Sequence, residues 1–305
     1  WVSAALAGTN MAFSSGRHGP NNFASLGDTA RVEAVKKGTA YMNVWMYVIR
    51  EFEDAIDDCR TCTIDCNEFS SNDAGPVHAW DEGVAFYTGS LEGTMMGDAS
   101  GKLLYRLAEK RCGNFGTCGE SGTAMTGTAL VNLELLNLFQ EGERHLRRGD
   151  CSAVRPVLTK AISLMTVPLV QGSLRYAYKI GEVPGDRSQK NAAEGAVFTA
   201  AVLPLVAQCN PTAAETISSN MKFGLYDAGT FPSFTAVKTA FESTYSCLGI
   251  TCAQVGGLKD SGGTLLAAGT ATCTDYAPIA GYLPGSGVTA HNAIDLDQAA
   301  METEL

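Results

Sequence analysis

Two short windows of the sequence carry most of the side chains that could hold a metal ion. The first is Glu51-Phe-Glu53-Asp54-Ala-Ile-Asp57-Asp58, and the second is Val77-His78-Ala-Trp-Asp81-Glu82. On a helix, side chains four residues apart share a face, so His78 would lie beside Glu82. Carboxylates and imidazoles on facing helices build metal sites in helical bundles, and ferric iron favours oxygen ligands. The windows predict an iron site (Fe3+ or Fe2+) whose ligands come from His78, Asp81, Glu82, Glu53, Asp54 and Asp57, with Tyr41, Tyr47 and Tyr87 as further candidates.

The same windows have a purely structural interpretation. An acidic run at the end of a helix is usually a solvated face, and a histidine beside Trp80 is often a hydrogen-bonded core residue. The windows also lack the repeated Glu-x-x-His pair that is typical of ferritin-like di-iron proteins. The residues alone leave both interpretations open.

A weak internal repeat links the second window to a later part of the chain. Glu82-Gly-Val-Ala-Phe resembles Glu194-Gly-Ala-Val-Phe, and each follows a long helical stretch with an arginine beside aromatic residues. If the repeat is real, the chain has two related halves, 27–120 and 121–252. Arg50 is then expected to pair with Glu82, and Arg175 with Glu194. Buried pairs of this kind would be structural, whereas the metal interpretation makes Glu194 the mark of a second site.

The chain contains ten cysteines, an even number that favours five structural disulfides in an oxidising compartment. Two pairs are close enough in sequence to close short loops, namely Cys112 with Cys118 and Cys247 with Cys252. A zinc site or a redox pair at Cys59-x-x-Cys62 is the alternative. The full set is Cys59, Cys62, Cys66, Cys112, Cys118, Cys151, Cys209, Cys247, Cys252 and Cys273.

Composition excludes several classes of protein. The 305 residues are 45% hydrophobic and 18% charged, which excludes a wholly disordered chain. A formal net charge of −10 argues against nucleic acid as a partner. The apolar run 196–207 is too short to span a bilayer, so no membrane insertion is expected. The sequence has no nucleophile elbow and no phosphate-binding loop, so we do not expect an enzyme.

Apolar residues at helical spacing predict an all-α fold, a disulfide-stabilised multi-helix bundle. Residues 1–26 are predicted to form an N-terminal arm, 27–252 the bundle, and 253–305 an irregular Gly-rich C-terminal extension. The first residues lack the basic start of a signal peptide, so the sequence is expected to be that of a mature secreted chain.

Two segments carry a resemblance to a known family. The stretch from Val77 to Ser90 and the segment Gln171-Gly-Ser-Leu-Arg-Tyr-Ala-Tyr178, together with the spread of cysteines, resemble the secreted iron-assimilating, high-CO2-inducible periplasmic proteins of green algae. The segment Gly75-Pro-Val-His78-Ala-Trp-Asp81 is more distantly similar to the Gly-x-His-x-x-Glu motif of imelysin-like proteins. Its glycine is displaced by one position and aspartate replaces glutamate, although Glu82 could substitute.

The resemblance implies an extracellular or periplasmic protein that helps a cell to acquire iron and has no known catalytic chemistry. Captured iron would pass to a membrane-bound transporter or reductase. The alternative is a structural or assembly protein of the extracellular matrix or a surface filament, which self-assembles without metal chemistry.

Overall fold

The computed structural model describes residues 1–11, 21–61, 75–89, 101–119, 129–273 and 301. Within them the chain is helical almost throughout, which confirms the predicted all-α class. One two-residue antiparallel pair, β1 (Asn10–Met11) with β2 (Asn21–Asn22), lies near the N-terminus. The helices are α1 (Val2–Ala7), α2 (Asp28–Gly38), a π-helical turn (Thr39–Val44), α3 (Trp45–Thr61), α4 (Pro76–Thr88), α5 (Leu104–Phe115), α6 (Leu130–Arg147), α7 (Cys151–Glu182), α8 (Gln189–Cys209), α9 (Pro211–Met221), α10 (Phe223–Asp227), α11 (Phe234–Glu242), α12 (Tyr245–Leu248) and α13 (Cys252–Val255), with 3-10 turns at Phe23–Ser25 and Pro184–Asp186.

Helix α7 is the central element, 32 residues long and packed against α5, α6, α8 and α11. It stays helical through Pro156 and Pro168, where the sequence suggests kinks. By length and composition α7 and α8 could each cross a membrane, and α8 contains the apolar run 196–207. In each helix 61% of the most apolar window is buried inside the protein. That burial is typical of core helices in a bundle.

Helices α3 and α4 form a hairpin because each has one strongly apolar face. Phe52 of α3 lies with its ring centroid 4.3 Å from that of Trp80 on α4, and both side chains are fully buried. Close approach requires glycine on α4, since a Cβ at Gly83 would lie 2.5 Å from the Phe52 ring. The packing turns the acidic residues of α3 away from the core.

Helices α7 and α8 form a second hairpin with a comparable contact. A Cβ at Gly195 would lie 2.9 Å from the Cβ of Tyr176 on α7. Tyr176 and Tyr41 stack on Phe198 of α8, with ring centroids 5.9 and 5.1 Å away. In both hairpins the glycine of the repeated Glu-Gly motif therefore meets an aromatic residue of the preceding long helix.

Disulfides tie these hairpins to each other and to the C-terminal helices. Cys59 at the end of α3 bonds to Cys151 at the start of α7, and Cys112 bonds to Cys118 as predicted. The predicted pair Cys247–Cys252 is wrong, because Cys247 bonds to Cys209 at the end of α8. Cys252 and Cys273 are also disulfide-bonded. Cys62 and Cys66 lie outside the described residues.

The N-terminal arm is held against α2, and the C-terminal end of the chain belongs to a separate compact unit. In the predicted arm, α1 is held by the Arg31 guanidinium, which donates to the Ala5 carbonyl oxygen at 3.0 Å. Residues 1–272 form one compact unit, and 273–305 form another. Of the predicted extension, residues 256–273 consist of turns and irregular chain, while 274–300 and 302–305 lie outside the described part.

Candidate metal-binding face

Helices α3 and α4 together present an oxygen-rich surface. Tyr47, Glu51 and Asp54 lie at successive turns of α3, and the Tyr47 hydroxyl interacts with Glu51 and Asp54 and with Glu82 on α4. The Tyr47 and Phe86 rings meet edge to face, with centroids 4.8 Å apart, which holds the two helices in this register. We call Tyr47, Glu51, Asp54 and Glu82 the acidic hairpin face. A phenol and three carboxylates are the oxygen donors that hard cations prefer.

Tyr47 interacts directly with one of these carboxylates. A hydrogen bond with Glu51, followed by the negative charges of Glu51, Glu82 and Asp54, raises the pKa of the Tyr47 hydroxyl. The shift shows that negative potential accumulates at this surface. A bound cation would reverse that effect, because it favours the phenolate.

His78 and Glu82 share one face of α4, as the sequence predicts. The His78 Nε2 atom lies 3.6 Å from a Glu82 carboxylate oxygen, and both side chains are more than 40% exposed. Asp81 points toward α6, where burial and the charge of Glu143 raise the pKa of its carboxyl. The three predicted ligands on α4 therefore divide between two directions.

The remaining α3 carboxylates are partly neutralised by arginines. Glu53 receives two hydrogen bonds from Arg155 of α7, the second 2.6 Å long, and they hold its pKa below the ordinary range. Asp57 lies 3.7 Å from Arg60. Asp58 was not predicted to be a ligand. Burial and the charges of Asp54 and Asp57 raise the pKa of its carboxyl. Across the described ranges, no three His, Cys, Asp or Glu side chains are gathered closely enough to hold a metal ion.

Glu194 lies in a different environment, on α8 against α2. It is 6% exposed, and its nearest charged neighbour is the Lys37 ammonium at 3.6 Å. Burial raises the pKa of Glu194 to about 7, and a hydrogen bond with Glu33 acts in the same direction. At neutral pH this carboxyl is divided between its protonated and charged forms.

The two ion pairs predicted from the repeat are replaced by others. Arg50 pairs with Asp54 at 2.7 Å, one turn away on α3, and not with Glu82. Glu194 pairs with Lys37. Arg175 interacts electrostatically with Glu194, and its guanidinium lies 5.3 Å from the Tyr176 ring centroid. Intrahelical partners at four-residue spacing are reached at less entropic cost than partners on another helix.

Glu51 was the residue of this face hardest to predict, whereas Tyr47 was already among the candidate ligands. Glu51 is 7% exposed and sits beside the core residue Phe52, so helical periodicity alone assigns it to the interior. The sequence feature that could have indicated Glu51 was Tyr47, which lies four residues before it on the same helix face. The position of Tyr47 relative to Glu82 depends on how α3 and α4 are rotated about each other.

The fold and this face define a disulfide-stabilised helical protein with an acidic, oxygen-rich surface. A sequence model of one family, described as the low iron-inducible periplasmic protein, matches residues 23–275. The chain belongs to that family. This confirms the resemblance drawn from the sequence and agrees with the predicted periplasmic location. Comparisons with curated proteins and with solved structures gave no significant match.

Proposed function

We propose that the protein captures iron in the periplasmic or extracellular space and concentrates it near the cell surface. The observation that carries the proposal is the acidic hairpin face, where a tyrosine and three carboxylates interact across α3 and α4. Membership in a family induced by low iron supports iron as the cargo. It does not favour the alternative of a matrix or filament protein.

The face suits capture better than permanent storage. His78 and Glu82 are exposed, and the carboxylates are not gathered into a closed set of ligands. Such a surface binds cations with help from solvent and releases them readily, because few protein ligands must be exchanged at once. Released iron would then pass to a membrane-bound transporter or reductase, and the proposal includes no catalytic step.

The first test is titration of the chelated, iron-free protein with ferric and ferrous iron. We expect saturable binding, with one ion or more per chain. Ligands are taken from the acidic hairpin face together with His78, so the Asp54→Asn/Glu82→Gln and His78→Ala/Glu82→Ala double variants should bind on the order of tenfold more weakly. Unchanged stoichiometry and affinity in both variants would remove this site.

Glu53→Gln is the matched control. It removes an α3 carboxylate of similar exposure that also has an arginine partner but lies off the acidic hairpin face. We expect its iron affinity to stay at the wild-type value. A loss equal to that of the double variants would show that general acidity, and not the hairpin face, attracts the metal.

A further inference from the structure

A second polar site lies in a cleft between α5, α7 and the segment after α13. The cleft has a volume of about 430 Å³. Asn114 of α5 lines one wall, Arg175 and Tyr178 of α7 line another, and Lys259 follows α13. Every one of these residues belongs to the described part of the chain, and none belongs to the acidic hairpin face.

Arg175 brings an uncommitted positive charge to this cleft. Its guanidinium is partly buried against Tyr176, and among the described residues no carboxylate lies within ion-pair distance of it. Lys179, one turn further along α7, pairs with Asp186 at 3.2 Å and is thereby neutralised. Asp260 is also occupied, since its Oδ1 accepts hydrogen bonds from the Gly262 and Thr264 amides.

Arg111 does not line the cleft, but it lies one turn before Asn114 on α5 and adds a second guanidinium to this region. It is 8% exposed, and within the described ranges neither its Nε nor its Nη1 has a hydrogen-bond partner. Arg111 and Asn114 are three residues apart on one face of α5. Burial, and then the charge of Arg175, lowers the pKa of the Arg111 guanidinium to about 10.

The carboxylates of this region, which include Asp186 and Asp260 on the cleft wall, offset these cations only in part. Glu194 is shared with Lys37 and Glu33, and at neutral pH it carries only part of a negative charge. A buried guanidinium without a hydrogen-bonded counter-charge is strongly unfavourable, because arginine stays ionised when it is desolvated. Asn114 can serve an oxyanion only through its side-chain amide nitrogen, because its buried Oδ1, which has no partner among the described groups, is an acceptor.

We propose that this cleft binds a small oxyanion, with Arg175 as its main ligand, Lys259 and the side-chain amide nitrogen of Asn114 beside it, and the buried charge of Arg111 adding to the positive potential. The guanidinium fork matches the paired oxygens of a phosphate or a carboxylate, and each such hydrogen bond is charge-assisted. Lys259 extends over Gly116 at the C-terminal end of α5 and adds a mobile positive charge at the rim. The inference does not rest on iron capture, because it uses other residues and needs no metal.

Calorimetric titration of the iron-free protein tests the site. Phosphate and citrate are added in separate experiments, with chloride at matched ionic strength as the reference. We expect saturable binding of one anion per chain, and the better ligand shows whether the site takes inorganic oxyanions or organic carboxylates. Wild-type protein that responds to both anions only as it responds to chloride would overturn the proposal.

Two variants separate the site from general charge. Arg175→Gln should weaken binding at least tenfold, while Arg148→Gln, which removes an exposed arginine at the end of α6, should bind as the wild type does. Equal affinities in Arg175→Gln and wild type would contradict the assignment.

Arg111→Met gives an independent readout of the unpaired buried charge. Without added anion its melting temperature should equal or exceed that of the wild type, and the anion should raise it less than it raises that of the wild type. A melting temperature below wild type together with a normal response to the anion would show that Arg111 is only structural. If this variant fails to fold, the comparison of Arg175→Gln with Arg148→Gln still decides the proposal.

Discussion

The two long-helix hairpins, α3–α4 and α7–α8, use the same glycine contact but treat their charges in opposite ways. In the first, Phe52 packs on Gly83 and the motif glutamate, Glu82, is exposed. In the second, Tyr176 packs on Gly195 and the adjacent Glu194 is buried. The repeated motif thus specifies how closely two helices approach. It does not specify whether its glutamate is exposed to solvent or buried.

The carboxyl pKa values show the same contrast. Hydrogen bonds from Arg155 lower the pKa of Glu53, whereas burial raises that of Glu194 to about 7. An exposed acid with an arginine partner favours its charged form, and a buried acid favours its neutral form. At neutral pH the first hairpin therefore keeps Glu53 charged, whereas the second carries a carboxyl, Glu194, whose charge changes near pH 7.

The bond between Cys59 and Cys151 is the largest single link between the hairpins. It closes a separation of 92 residues, against six for Cys112–Cys118. Loop entropy predicts that replacing both cysteines by alanine costs ~4 kcal/mol for the long loop and ~2 kcal/mol for the short one. Chemical denaturation of the two double variants measures the difference. Equal losses would mean that the hairpins hold together by packing alone.

The two glycine contacts should differ in cost when a methyl group is added. Gly83→Ala places its Cβ against the fully buried Phe52 ring, and we expect a loss of ~2–3 kcal/mol. Gly195→Ala meets the Tyr176 Cβ at 2.9 Å and the flexible Met221 terminus at 3.0 Å. Because methionine yields and alanine favours helix, the loss there should be ~1 kcal/mol. A reversed order in thermal unfolding would show that the second hairpin is the more rigid.

Protonation of Glu194 should make part of the stability depend on pH. Its pKa is about 7 in the folded protein and 4.5 as the ordinary value. A raised carboxyl pKa gives stability that is present below pH 4.5 and is lost as pH rises through about 7. Relative to Glu194→Gln, the wild type should lose roughly 2 kcal/mol across that interval. Parallel stability profiles for the two proteins would exclude a buried, protonated Glu194.

The ion pair between Glu53 and Arg155 should show a smaller effect of opposite sign. Both side chains are at least one-third exposed, so a double-mutant cycle with Glu53→Gln and Arg155→Gln should give a coupling of ~0.5–1 kcal/mol at neutral pH. The lowered pKa of Glu53 makes this coupling present above pH 4.5 and lost as pH falls through the folded-state value. A coupling that grows on acidification would contradict the assigned protonation states.

Helical periodicity was sufficient to predict the fold class and most of the long helices, because the apolar faces of α3, α6 and α7 recur at helical spacing. Chain proximity was a poor guide to the Cys247 disulfide. The end of α8 brings Cys209 to Cys247, and this long-range packing cannot be read from local spacing.

The candidate sites show the same limit. The positions of His78 and Glu82 followed from one helix, and the structure places them together. The relation of Tyr47 to Glu82 and of Arg111 to Arg175 depends on the rotation of packed helices, which the sequence pattern leaves undetermined. Buried charges were the least predictable, since patterning assigns ionised residues to the surface.

The length of α7 separates the two sites beyond the range of ionic interaction. Trp45, at the start of α3, donates to the Met165 carbonyl oxygen, ten residues before Arg175. At 1.5 Å per residue this is about 15 Å along the helix, and Glu53 lies farther away, beside Arg155. Charges are screened within about 8 Å at physiological ionic strength. A cation bound at the acidic hairpin face and an anion bound in the cleft at Arg175 would therefore bind and dissociate independently of each other.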